Sequence, residues 1–225
     1  VVSGEELVVG AKVELDHTLL DADSDHSWGQ YLVDRGLVEA AVHQRRNDEF
    51  YEQYKAGTLD IHEYLAFALR PLTQYPLQQM LDEREAFLKE RILPLISQKS
   101  RDLIAHHKRA GDILLIITAT NGFVTYPIAE LLGIEHIIAP DPEFRDGAYT
   151  GQIIGTPSFQ HGKVVRLNDW LAEQQLQLED SWFYSDSHND LPLLEIVDHP
   201  VAVDPDDTLA AVARDKGWPV ISLRD

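Results

Sequence analysis

A chain of 225 residues, 44% of them hydrophobic, is long enough to bury a core as one large or two modest domains. Its 19 lysines and arginines stand against 38 aspartates and glutamates, and a formal charge of -19 repels nucleic-acid backbones and anionic membrane surfaces alike. With no cysteine, disulfides, thiolate metal sites and cysteine nucleophiles are excluded.

The first ten residues, VVSGEELVVG, contain no basic stretch leading into a long apolar run, and no later window reaches membrane-helix length. A soluble, cytoplasmic protein without an obligate protein partner is expected. LVVGAKVEL reads as the first strand, although Gly10 and Lys12 fall where a buried central strand is normally apolar throughout. The following VELDHTLLDADSDH is dense in acidic side chains. From about Ser24 to Ser100 no strand pattern occurs. Trp28, Tyr31 and Leu32, then Leu65, Leu69 and Leu72, recur instead at helical spacing, which marks an inserted helical unit. Gly57 and Pro71 punctuate it, and Pro76 and Pro94 bound a long amphipathic helix. DILLIIT and EHIIA are the next strands, RDGAYTGQIIGTPSFQHG a hairpin plus loop, and KVVRLNDWLAEQ a helix; SWFYS, HPVAV and WPVISL complete the strands. Strands alternating with helices predict an α/β fold, a mostly parallel sheet covered on both faces.

Ligands of such sheets bind beyond the carboxyl ends of the strands. Glu14 and Asp16 follow the first strand, Thr118, Thr120 and Asn121 the second, and Ser185, Asp186, Asn189 and Asp190 the SWFY run. Carboxylates converging from two strands repel one another unless a cation lies between them, and an all-oxygen set suits magnesium. Lys163, opening a helix after Gly162, is the candidate to neutralise a phosphate. Taken singly, each has a plainer reading: Asp186 or Asp190 as a turn former or helix cap, Thr118 as a strand-end hydroxyl, Lys163 as a solvated charge. Competing motifs are missing: GTPSFQHGK has too many residues between its glycines for a phosphate-binding P-loop, and neither H-E-x-x-H nor G-x-S-x-G occurs.

In order and spacing, ELDHTLL, LLIITATN, GKVVRL and YSDSHNDLPLL resemble the four motifs of the haloacid dehalogenase superfamily of phosphatases, over essentially the whole chain. DSDHSWGQYL, RRNDEFYEQYKAGTLDIHEY, RDGAYTG and GTPSF are similar to its phosphoserine phosphatase-like and histidinol-phosphatase-like branch. The resemblance implies a Rossmann-like three-layer α/β/α core of residues 1–22 and 100–225, with an inserted helical cap of residues 23–99.

It also implies a chemistry. Residue 14 attacks phosphorus to form an acyl-phosphate, and Asp16 protonates the leaving oxygen and then activates water. Thr118 and Lys163 hold the phosphoryl oxygens. Mg2+ is held by Glu14, Asp16 through its main-chain carbonyl, and Asp186, with Asn189 and Asp190 in support. The family has aspartate at position 14, so Glu14 is a departure. One added methylene moves the carboxylate by roughly 1.5 Å, and a displacement of about 1 Å costs on the order of 10²-fold in rate. Slow turnover, or a pseudophosphatase that only binds metal and phosphate, follows. Among substrates, Asp23 stands by spacing where the family receives an amino group, and Asn121 lies nearby; a carboxylate reader is less firm, with Ala68 near its place and Arg70 two residues on. A small phosphorylated metabolite, histidinol phosphate or phosphoserine, is expected. Arg45 and Arg46 are expected on a solvated helix face.

Overall fold

The computed structural model describes residues 10–225, so the leading part of the first expected strand, residues 7–9, lies outside the described residues. From there on every expected strand is present: β1 (Ala11–Val13), β2 (Leu114–Ile117), β3 (His136–Ile138), then, beyond the hairpin of β4 (Asp141–Arg145) and β5 (Ala148–Ile154), β6 (Trp182–Ser185), β7 (His199–Val203) and β8 (Val220–Ile221). Six of them pair in parallel in the order β3-β2-β1-β6-β7-β8. The chain leaves β1 for β2 on one side and returns to β6 on the other. Strand order therefore reverses at β1, and a crevice opens at its carboxyl end.

Two-residue alternation divides the core. Ala11, Val13, Leu114, Ile116, Tyr184, Val201 and Val203 face one layer, while Leu115, Ile117, Phe183 and Ala202 face the other. The second layer is formed by α7 (His161–Gln174), α8 (Leu191–Leu194) and α9 (Asp207–Lys216), through Leu167, Leu171, Leu193, Leu194, Leu209 and Ala213. The first contains α5 (Gln98–Ala110) and α6 (Gly122–Leu132), with Ile104, Phe123 and Ile128 in its core.

Both sequence oddities of β1 have physical counterparts. A side chain at Gly10 would collide with Asp112, whose carboxylate is 2.6 Å from Nδ1 of the buried His107. Lys12 is fully buried, in register with Leu115 and Phe183. Burial lowers its pKa to about 7, against an opposing attraction from Asp198.

The inserted segment is helical, as its spacing predicts: α1 (Ser24–Asp34), α2 (Ala40–Lys55), α3 (Ile61–Gln74) and α4 (Leu77–Phe87), the last widening at Leu88–Ile92 and tightening at Leu93–Leu95. Asp23 caps α1 by accepting from the His26 N–H, and Asp60 caps α3 through the N–H groups of His62 and Glu63. Pro71 does not punctuate the unit: it lies inside α3, buried, where ring packing offsets the missing N–H. Aromatic contacts tie α1 to α4 within the segment, Trp28 to Phe87 at 5.2 Å, and to α6 of the core, Trp28 to Phe123 at 6.0 Å, between ring centroids. The hairpin turns at Asp146 and Gly147, both at positive φ, and its Gly151 lies against Thr73 of α3. Among the described residues no helix is long and apolar enough to cross a membrane.

Candidate active site

The carboxyl ends of β1, β2 and β6 bring Glu14, Thr118 and Asp186 to adjacent positions, and the first turn of α7 delivers Lys163 beneath them. Glu14 stays in line with the sheet, its N–H donating to the Tyr184 carbonyl at 2.9 Å. The chain then turns sharply: Asp16 is extended and His17 is left-handed at φ 54°. This turn is clasped from the far end of the sequence. Arg224 donates to the carbonyls of His17 and of Leu20 (3.3 Å) and pairs with Asp21 at 2.7 Å.

Lys163 is 3% exposed and divides its charge between the Glu14 carboxylate and Asp190, the latter at 2.6 Å. Burial alone would lower its pKa, but Asp190 and Glu14 outweigh that and raise it. A single cation shared by two acids leaves Glu14 under-compensated. Burial pushes its carboxyl up to about 8, with Lys163 opposing and Asp190 adding to the rise. Asp190 is further fixed by the Ser185 hydroxyl at 2.6 Å. The Asp16 carboxylate accepts from the Ser24 N–H and the Thr120 hydroxyl, each at 2.7 Å; burial and then Asp23 raise its pKa to about 6. Asp186 accepts from the Thr18 hydroxyl at 3.0 Å, and burial lifts it to about 7, with His17 opposing. Thr118 is fully buried, and its hydroxyl oxygen accepts the Thr120 N–H at 3.2 Å.

Thus Glu14, Asp16, Thr118, Lys163, Asp186 and Asp190, spread over 177 positions of sequence, lie at one strand-end crevice. Two expected substrate contacts are engaged elsewhere. Asp23 is the cap of α1, and Asn189 bridges the inserted segment to the core, donating to the Tyr54 carbonyl at 3.2 Å and accepting from Gln160 at 2.9 Å. Arg45 and Arg46 lie on the solvated face, paired with Glu49 and Glu63. Among the described residues, no three or more aspartate, glutamate or histidine side chains are gathered around one point as a metal cage. Both carboxylate oxygens of Asp16 and of Asp190 are engaged by protein donors, whereas Glu14 is held through one oxygen by Lys163 and Asp186 through one by Thr18, which leaves the other oxygens of Glu14 and Asp186 suited to a hard cation.

Sequence reasoning passed over Asp25, Tyr64 and Tyr54. Asp25 is 6% exposed; it accepts from the Tyr64 hydroxyl at 2.5 Å and the Asn121 amide at 3.3 Å. The Tyr54 hydroxyl donates to Ser187 at 2.9 Å. The only sequence signal for Asp25 was an acid one turn into a helix, which a cap explains equally well.

Comparison with known proteins adds four findings. Residues 13–195 match the family described as haloacid dehalogenase-like hydrolase. A histidinol-phosphatase of Neisseria meningitidis serogroup C (strain 8013) is 46% identical over 215 residues, 94% of this chain and 97% of that protein. The crystal structure of a protein of unknown function from Bordetella pertussis Tohama I superposes with a TM-score of 0.90 at 44% identity, covering 97% of this chain and 100% of that one. A substrate-bound phosphoserine phosphatase shares the fold at a TM-score of 0.70 and 16% identity, over 98% of this chain and 95% of that one.

Proposed function

This chain belongs to the haloacid dehalogenase-like hydrolases, and from that premise we propose that it is a magnesium-dependent, cytoplasmic phosphomonoesterase of a small amine-bearing metabolite, histidinol phosphate before phosphoserine. The observation that carries the reading is the buried Lys163 held between Glu14 and Asp190 where the strand order reverses. A phosphoryl dianion entering there meets a lysine kept cationic by two carboxylates, the Thr118 hydroxyl, and the amino end of α6, whose cap residue Asn121 makes no side-chain capping bond.

In this reading Glu14 attacks phosphorus. A carboxylate-oxygen to phosphorus bond forms, the ester oxygen to phosphorus bond breaks, and Asp16 gives its proton to the departing oxygen. Asp16 then takes a proton from water, the water oxygen attacks phosphorus, and the Glu14 carboxylate is released with inorganic phosphate. A pKa near 6 suits Asp16 to both halves, because it is near the point of holding or yielding a proton at neutral pH. Lys163 and Thr118 oppose the charge on the transferred group throughout.

For the cation, the donor chemistry fits: Glu14, Asp186 and the Asp16 main-chain carbonyl are all hard oxygens. Two carboxylates with water completing the shell is a usual magnesium set, so a three-carboxylate cage is not required. When bound, magnesium would neutralise charge on the phosphoryl oxygens and on Glu14. The helical segment of residues 23–99 acts as the cap over this crevice, latched by Tyr54 and Asn189.

Release of phosphate from histidinol phosphate, phosphoserine and unrelated phosphate esters, with and without magnesium, tests the reading. Magnesium-dependent release abolished by Asp16→Asn and Lys163→Ala supports it; release indifferent to both substitutions overturns it. The engagement of Glu14 by Lys163 favours a second reading, a pseudophosphatase that binds phosphate and metal without turnover. Phosphate binding without release identifies that case.

A further inference from the structure

The turn that leads into α7 has a backbone its sequence does not favour. The Gly162 N–H donates to the Phe159 carbonyl at 2.8 Å, closing a four-residue turn, and Gln160, its second residue, has φ 47° and ψ -124°. Those angles belong to the first central position of a type II′ turn, where glycine is usual because a Cβ strains the backbone. The turn has no room to slide. A Cβ at Gly162 would stand 2.1 Å from the Pro157 carbonyl oxygen, and the Ser158 hydroxyl is tied to the Thr118 carbonyl at 2.5 Å. Gln160 is held there through its own side chain, whose amide donates to Oδ1 of Asn189 at 2.9 Å and to the Gly57 carbonyl, just past α2, at 3.3 Å. Asn189 is fixed in turn by donating to the Tyr54 carbonyl at 3.2 Å. Both amide hydrogens of Gln160 therefore reach acceptors on two other parts of the chain, the cap and the segment following β6.

We propose that Gln160 is a positioning residue for Lys163. The inference rests on the phosphomonoesterase reading and adds a residue to it. The Gln160 carbonyl accepts the Lys163 N–H at 3.1 Å, so the conformation of residue 160 sets where α7 begins and how its first turn presents the lysine. Lys163 has to meet the Glu14 carboxylate and Asp190 together inside a buried crevice, which tolerates little displacement. Strain in a folded chain persists where surrounding contacts over-determine it, and here those contacts are the two amide bonds. Starting a helix does not account for the glutamine: its side chain makes no capping bond, and glycine would adopt the same turn without strain. Because one of the two bonds ends on Gly57, docking of the inserted segment contributes to the placement of a charge in the core.

The test compares the unmodified chain with Gln160→Ala and Gln160→Gly. Two quantities are measured in magnesium chloride: kcat/KM for phosphate release from histidinol phosphate, and affinity for inorganic phosphate by calorimetric titration. Urea denaturation confirms that each protein is fully folded under assay conditions, where a purely structural role would leave both quantities unchanged. Alanine loses the amide bonds and keeps the strain, so the turn relaxes and Lys163 shifts; kcat/KM is expected to fall about tenfold or more. Glycine loses the same bonds but adopts the turn freely, and is expected to stay within about threefold of the unmodified chain. If the unmodified chain binds phosphate without turning over, the same limits apply to phosphate affinity. Should Gln160→Ala fail to fold, Gln160→Met, similar in length but without donors, takes its place under the same limits. Gln160→Ala within about threefold of the unmodified chain, or glycine and alanine losing alike, overturns the proposal. An unmodified chain that neither releases nor binds phosphate sinks the phosphomonoesterase reading itself, and is distinguishable because it needs no variant.

Discussion

Glu14→Asp tests the length of the nucleophile. Glu14 is 6% exposed, its N–H is fixed to the Tyr184 carbonyl, and its carboxylate is bound to Lys163, so the side chain has no freedom to coil its extra methylene away. The carboxylate therefore stands roughly one carbon-carbon bond, about 1.5 Å, further into the crevice than an aspartate would. A displacement of about 1 Å costs on the order of 10²-fold, or about 2.7 kcal/mol of barrier. Shortening the side chain should raise kcat by about 10²-fold on the best phosphate ester and leave KM within a few-fold, since Lys163 and Thr118 still bind the phosphoryl group. Steady-state phosphate release from both proteins in saturating magnesium is the assay, with urea denaturation to confirm equal folding. An unchanged or lower kcat in Glu14→Asp would refute the reasoning, because it would mean either that the site is built around glutamate or that residue 14 is not the attacking group.

Three further outcomes are expected. Arg224→Ala removes charge-assisted hydrogen bonds to the His17 and Leu20 carbonyls and should cost about 1–2 kcal/mol in urea denaturation, with faster proteolysis in the 15–22 turn; a change below ~0.3 kcal/mol would mean that the clasp does not hold the turn. Lys12 has a folded pKa of about 7 and an unfolded one of 10.5. Between those values the unfolded chain binds the extra proton, so this residue makes stability rise with pH, by up to about 1.4 kcal/mol per pH unit, and contributes no slope below or above that window. Urea midpoints of the unmodified chain and Lys12→Met from pH 7 to 10 should diverge accordingly; parallel curves refute the shift. Tyr54→Phe removes the hydroxyl contact to Ser187, worth about 1 kcal/mol, and should speed hydrogen exchange in the last turn of α2 roughly fivefold with little change in global stability. Exchange as slow as in the unmodified chain would show that the latch lies elsewhere.

What the sequence disclosed and what it hid follow from the range of each signal. Strands such as HPVAV and DILLIIT are largely apolar runs because both sheet faces are buried; the first is found residue for residue as β7, and the second as the four-residue β2 at its centre. The strand-end residues were legible for a related reason: a parallel sheet fixes where its carboxyl ends lie, so polar residues just beyond them fall together however distant in sequence. Asp25 was not legible, since its meaning comes from Tyr64 across the inserted segment and Asn121 across the crevice, and helical periodicity carries no information about partners. Arg224 was hidden likewise, 207 positions from the turn it clasps. The roles of Asp23 and Asn189 read differently because capping and bridging use the same side-chain chemistry as ligand binding. Gly10 and Lys12 looked like faults in a central strand. One makes room for the Asp112 side chain, and the other is a fully buried lysine whose pKa is lowered by burial against an attraction from Asp198. Lys12 lies two positions before Glu14, so the strand that leads to the candidate nucleophile also carries a group that makes folding stability depend on pH.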